Sequence, residues 1–239
     1  MAVAETDMAS DGSEPGEHSM LLERVEQSEV VRVEETFPWM LLHWAGFFIG
    51  GSTFVIGTSL YFYPEWEYGA TCSAAFYTIG SFGFLTVDVM EFFTSTDIPI
   101  IRANIFCSII GSLLYVIGSI GFFPDVYNFT DVIGIWGFIL GSFFIGVSQL
   151  WKTYRIGKGK GGVFSFSNLF TDADSCTQVG VELNAGLGGW SFFVGTIMYL
   201  HGPLEGAWYL YVLDIWTAGS IFFLLGSFSL AYRHFIMKV

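Results

Sequence analysis

The sequence predicts an all-α membrane protein: six transmembrane helices arranged as three repeated helical hairpins, with N and C termini cytoplasmic. Three observations carry this expectation. The 239 residues are 53% hydrophobic and only 13% charged, about half the charge of an average soluble domain. Six mostly apolar stretches are each long enough to cross a hydrocarbon core of ~30 Å. Finally, all nine Lys and Arg fall outside these stretches or at their ends on one side, the pattern that the positive-inside rule assigns to the cytoplasm.

Residues 1–36 precede the first span and hold ten acids against two arginines, a net of −8 within the chain's −13. This acidic tail is expected to be largely disordered and cytoplasmic, because its first 19 residues carry too little apolar surface to order. Met20, Leu21, Leu22, Val25, Val30 and Val33 share roughly one helical face and suggest a short partner-binding helix. The tail has neither a basic n-region followed by an apolar run nor an Arg-rich composition, so no secretory or organellar targeting segment is expected in it.

The membrane domain is expected over 37–239, with spans at 38–62, 70–92, 100–122, 132–151, 187–200 extended backward, and 207–232. The fifth start is the least marked, since 180–189 is glycine-rich and only moderately apolar. Each outer turn carries proline beside acid: Pro64-Glu65, Pro124-Asp125 and Pro203-Leu204-Glu205. Proline ends the outgoing helix by removing a donor and clashing with the previous turn. Tyr61, Tyr63, Trp66, Tyr127, Trp208, Tyr209 and Tyr211 gather at the same level, as an interfacial aromatic belt does. The connections at that level contain no Lys or Arg. Arg24, Arg32, Arg102, Lys152, Arg155, Lys158, Lys160, Arg233 and Lys238 all belong to the opposite side.

Self-similarity divides the domain into repeats at about 38–93, 100–155 and 184–233. The first helix of each hairpin fits G-x3-[FY]-x2-G-[ST]-x2-[FY]: Gly50, Phe54, Gly57, Thr58, Tyr61; Gly111, Tyr115, Gly118, Ser119, Phe122; Gly188, Phe192, Gly195, Thr196, Tyr199. The second helices carry aromatic-x2-G-S at Tyr77 with Gly80, Phe138 with Gly141, and Trp216 with Gly219. Glycines seven apart lie on nearly one helix face and leave notches for a neighbouring helix, so these nine glycines are read as helix-packing positions. Hairpins with paired Gly-Ser steps, a Pro-acidic turn and a terminal aromatic-Arg (Tyr154-Arg155, Tyr232-Arg233) resemble the YrhK-like membrane domain. The first hairpin departs, with Phe93-Thr94 at that place. The resemblance implies a small multi-span domain and supplies no catalytic residues.

Few residues suggest chemistry. Asp214, about two turns into the sixth span, is a candidate ion or proton site together with Asp131 and His201, because an intramembrane carboxylate usually faces a partner or water. Asp88 and Glu91, with Asp97 and Arg102 nearby, read as an ion-pair cluster at the inner interface. His43 and His234 share a depth and offer two imidazoles for a metal or haem, but no metal motif supports that use. Gly157-Lys158-Gly159-Lys160-Gly161-Gly162 lacks the terminal Gly-Lys-Ser/Thr of a phosphate loop and reads as a basic linker. Cys72, Cys107 and Cys176 form no CxxC and suggest no disulfide framework.

No nucleophile–base set is visible, so the chain is expected to be non-enzymatic and without cofactors, serving membrane packing, assembly or partner binding. Its partners would be the lipid bilayer and a homo-oligomer or another membrane protein. With nine Lys and Arg and no basic stripe, nucleic acid is not expected. The alternative expectation is a small-solute, ion or proton transporter or channel using Asp214.

Overall fold

A computed structural model describes residues 36–95, 98–158, 162–203 and 205–237. The expectations for the acidic tail, for Asp97 and for Lys160 lie outside these residues. The described residues are mostly helical, joined by turns and short irregular connections: α1 Phe37–Leu60, α2 Gly69–Thr94, α3 Pro99–Gly121, the short α4 Pro124–Phe129, α5 Val132–Lys158, α6 Ala173–His201 and α7 Gly206–Ala231. A 3-10 turn, Phe166–Phe170, precedes α6, and a π-helical turn, Tyr232–Met237, follows α7.

Proline occupies the first turn of α1, α3 and α4, where its missing N–H costs nothing and its fixed φ suits the helix. The stretch 123–131 between α3 and α5, expected as a plain turn, contains α4. The basic stretch after residue 151 was expected as loop, yet α5 continues to Lys158. Its Arg155 and Lys158 lie in the last turn, where cations meet the negative end of the helix dipole. On the far side of that connection α6 begins at Ala173. The Asp172 side chain accepts a hydrogen bond from Ser175 N at 2.7 Å, a helix N-cap within a stretch too short of ligands for a calcium loop.

Among the described residues five helices are long and apolar enough to cross a membrane: α1, α2, α3, α5 and α7 with its terminal turn. The sixth long helix, α6, is not among them, because its first half carries Asp174, Gln178, Glu182 and Asn184 among glycines. Isoleucine and phenylalanine side chains such as Ile79, Phe82, Phe106 and Phe228 are exposed on the outside of the bundle, an apolar surface suited to lipid rather than water.

The six long helices form a closed ring in the order α1, α2, α3, α5, α6, α7, with α7 packing back on α1. The closest pairs are α1 with α2, α3 with α5 and α6 with α7. The same reciprocal contacts occur in all three. A Cβ at Gly80, Gly141 or Gly219 would fall 2.6–2.9 Å from the ring of Phe54, Tyr115 or Phe192 on the partner helix. A Cβ at Gly57, Gly118 or Gly195 would meet Tyr77, Phe138 or Trp216 at 3.3, 2.7 and 2.6 Å. Gly111 takes Ile145 at 2.7 Å, and Gly188 takes Phe223 at 2.8 Å. At Gly50 the ring of Phe84 fills the notch. All nine glycines are therefore filled by side chains of the same chain.

Those aromatic rings meet inside the ring of helices. Phe54, fully buried, lies 4.9–6.2 Å from the rings of Tyr77, Phe84, Tyr115, Phe138, Phe192 and Phe223. Small hydroxyls stitch the helices around this cluster: Thr58 bonds to Tyr77 Oη at 2.7 Å and to Ser220 at 3.0 Å, and Ser81 bonds to Ser119 at 3.0 Å. The ring of helices is thus plugged by aromatic side chains.

Candidate functional site

Between the aromatic plug and the basic end of the bundle lies a cavity of about 40 Å³, larger than the ~10–15 Å³ that one water needs. Its apolar roof includes Phe47, Phe84 and Phe223, and its polar wall holds Asp88, Glu91, Ser108, Ser112, Gln149, Lys152 and Glu182. Four helices supply that wall. Asp88 and Glu91 come from α2, one turn apart; Ser108 and Ser112, also one turn apart, come from α3. Gln149 and Lys152 come from α5, and Glu182 comes from α6.

The charges are organised around Lys152, which is 8% exposed. Its Nζ donates to Glu91 Oε2 at 2.7 Å and lies 3.6 Å from Glu182 Oε2. Asp88, 6% exposed, accepts a short hydrogen bond from Ser112 Oγ. Two carboxylates thus hold one ammonium, and the carboxyl of Asp88 lines the same cavity. Gln149, also buried, donates through Nε2 to Ser108 Oγ at 3.4 Å, and its Oε1 is buried without a hydrogen-bond partner. A buried acceptor left unpaired costs about 1–3 kcal/mol, so this oxygen is poised for a donor or a cation.

A wider recess of about 300 Å³ opens toward the basic end and shares Lys152 and Glu182 with the cavity, adding Arg155, Ile156 and Gln178. On the other flank, Glu91 Oε1 lies 3.3 Å from His43 Nε2, and His43 Nδ1 lies 3.0 Å from His234 Nε2. Trp39 stacks on His43 with centroids 4.5 Å apart.

Sequence reasoning located part of this site. Asp88 and Glu91 do lie in a charged cluster toward the basic end, but the cation that pairs with Glu91 is Lys152, while Arg102 is exposed. His43 and His234, placed at one depth by sequence, are in direct contact. Asp214, Asp131 and His201 are all exposed, and no hydrogen bond or ion pair joins them among the described residues. Among the described residues His201 bonds to its own helix, at Ile197 O. Glu182, Gln149 and the role of Lys152 were not singled out. Their signal was a polar residue once per turn or two on otherwise apolar helices, visible only once α5 and α6 are extended.

Among the described residues no group of three or more His, Cys, Asp and Glu is arranged to hold a metal ion. The donors facing the cavity are instead carboxylate, hydroxyl and amide oxygens, a set suited to hard cations rather than to zinc or copper. Fold and site together define a helical membrane protein with a buried acidic site near one end. No family profile, curated protein or solved structure matches the chain.

Proposed function

We propose that this protein is a six-span, non-enzymatic membrane protein, built from three copies of a YrhK-like hairpin, that binds a small monovalent cation at Asp88 from the cytoplasmic side. Its termini are cytoplasmic in this reading, so the basic end of the bundle, the wide recess and the acidic cavity face inward. The single observation that carries the assignment is the surplus of carboxyl groups at the cavity: Lys152 pairs with Glu91 and Glu182, and buried Asp88 lines the same cavity beside the unpaired Gln149 oxygen. Buried charges are retained when they are paired or hold ions, because an uncompensated one is costly. Asp88 has a hydroxyl partner but no ion-pair partner among the described residues, and supplies the charge that a bound cation neutralises.

The aromatic plug closes the bundle above the cavity, so this conformation offers the site to one side only, as one state of an alternating carrier does. Reconstituted protein should carry sodium or potassium into liposomes, lose that flux in Asp88→Asn, and keep it in Asp214→Asn. Absence of flux together with absence of Asp88-dependent binding would remove the proposal.

A second reading, structural packing and assembly, is favoured by the nine glycines. Their notches are filled within the chain, which supports intrachain packing.

A further inference from the structure

We infer that the seam between α5 and α6 is the gate by which a cation passes from the wide recess into the acidic cavity, with the Lys152–Glu182 ion pair as its latch; this rests on the reading of that cavity as the cation site. Neighbouring hairpins meet at three junctions, and the sequence offers each the same fastening. A hydroxyl residue follows six of the packing glycines: Thr58, Ser119 and Thr196 on α1, α3 and α6, and Ser81, Ser142 and Ser220 on α2, α5 and α7. Two junctions use it. Ser81 bonds to Ser119 between α2 and α3, and Thr58 bonds to Ser220 between α1 and α7, both at 3.0 Å. At the third, Ser142 bonds instead to Tyr115 Oη at 2.9 Å, and Thr196 Oγ1 accepts from Trp216 Nε1 at 3.2 Å, each within its own hairpin. Ser112 also reaches Asp88 across the first junction, and His43 reaches His234 beside the second. Among the described residues the one side-chain polar tie between α5 and α6 is Lys152 Nζ to Glu182 Oε2 at 3.6 Å, beyond hydrogen-bond length.

The rest of this seam meets through glycine. A Cβ at Gly189 would fall 3.1 Å from Gly146 N, and one at Gly186 would fall 3.3 Å from Gln149 Cβ. The Trp190 indole covers Gly146, and its N–H is buried without a hydrogen-bond partner, as is Gln149 Oε1 beside Gly186. Unpaired buried polar groups favour a state in which water reaches them, and both of these lie on this seam. Each flank is tied within itself. Asn104 and Ser148 exchange bonds at 3.1 Å between α3 and α5, and Arg233 after α7 holds Asp174 on α6 at 3.0 Å. At the end away from the recess, Tyr127 on α4 bonds to Tyr199 on α6 at 3.0 Å, which leaves a hinge there and puts the opening at the recess. All five residues lining the recess come from α5 or α6, and Lys152 and Glu182 also line the cavity, so parting these helices joins the two spaces. Lys152 keeps its 2.7 Å bond to Glu91. Glu182 is released, and its carboxylate faces the passing ion and offsets the charge of Arg155.

The test is double electron–electron resonance on the full-length protein in nanodiscs, with Cys72, Cys107 and Cys176 replaced by alanine. Spin labels on Leu150→Cys and Leu183→Cys report on the seam between α5 and α6; labels on Ile49→Cys and Leu225→Cys report on α1 and α7 as a control. All four leucine and isoleucine side chains are exposed on the outside of the bundle. Glu182→Gln should add a seam component longer by about 2 Å or more, the upper end of ordinary helix shifts, and leave the control pair unchanged. If that variant does not fold, Glu182→Asp, which draws the carboxylate back from Lys152 by one methylene, should do the same. An unchanged seam distance, or equal lengthening of the control pair, overturns the gate. Saturating sodium should also shift the seam distribution with Glu182 in place. A Glu182 effect without a sodium effect fails the cation reading alone.

Discussion

Replacing Lys152 by methionine removes the one ammonium that joins Glu91 on α2 to Glu182 on α6, while keeping most of the side chain's length. Glu91 is then left with His43 at 3.3 Å, and Glu182 loses its nearest cation. Removing one partner of a buried ion pair costs about 3–5 kcal/mol, because the remaining charge is stranded. The two glutamate side chains are 24% and 18% exposed, which relieves part of that cost, so about 3 kcal/mol is expected. Reversible unfolding in mixed micelles, followed by tryptophan fluorescence, would read it. Adding Glu91→Gln to Lys152→Met should recover part of the loss, since the second change removes the stranded charge; groups in direct contact couple by about 0.5–3 kcal/mol. A cost below about 0.5 kcal/mol, the range of ordinary surface substitutions, would refute this reasoning. So would a double variant less stable than the sum of the two single changes.

Three further outcomes follow from the packing and placement. Gly118→Ala would push a methyl to 2.7 Å from the Phe138 ring and 2.9 Å from its backbone nitrogen, costing roughly 1–3 kcal/mol by overpacking; Gly69→Ala, whose nearest neighbour is at 3.5 Å, should be near neutral in the same unfolding assay. Tyr77→Phe removes the 2.7 Å bond to Thr58, which keeps Ser220 at 3.0 Å. Its loss should be about 0.6 kcal/mol, typical for hydrogen bonds between membrane helices, and a loss above about 2 kcal/mol would show that the aromatic plug depends on that hydroxyl. Asp214→Leu, on the exposed face of α7, should leave cation flux intact; loss of flux with the fold preserved would return the site to Asp214.

The helices that the sequence made legible are those whose apolar run is continuous and whose ends carry proline, glycine or basic residues. The glycine notches were equally legible, because spacing within one helix decides which face they share, and each notch needs only the neighbouring helix of the same hairpin. What could not be read was the closure of the ring. Contact between His43 and His234 depends on α7 packing against α1, nearly two hundred residues apart in the chain, and shared depth alone does not require it. Lys152 was misplaced for a different reason. It follows Trp151 at the start of a basic run that resembles a loop, yet α5 continues past it and turns its ammonium toward Glu91. Glu182 was hidden in a glycine-rich stretch whose polarity masked the first turns of α6. Asp214 stands out in the sequence as an isolated carboxylate within a span, whereas Asp88 and Glu91, near a span end, read as interfacial.

The most direct measurement is equilibrium binding of radioactive sodium to the full-length protein in nanodiscs by scintillation proximity. Saturable binding at a single site, lost in Asp88→Asn and retained in Asp214→Asn, is the expected result. Binding that survives Asp88→Asn, or no saturable binding of sodium or of competing potassium, would contradict the assignment of the buried acidic cavity as a cation site.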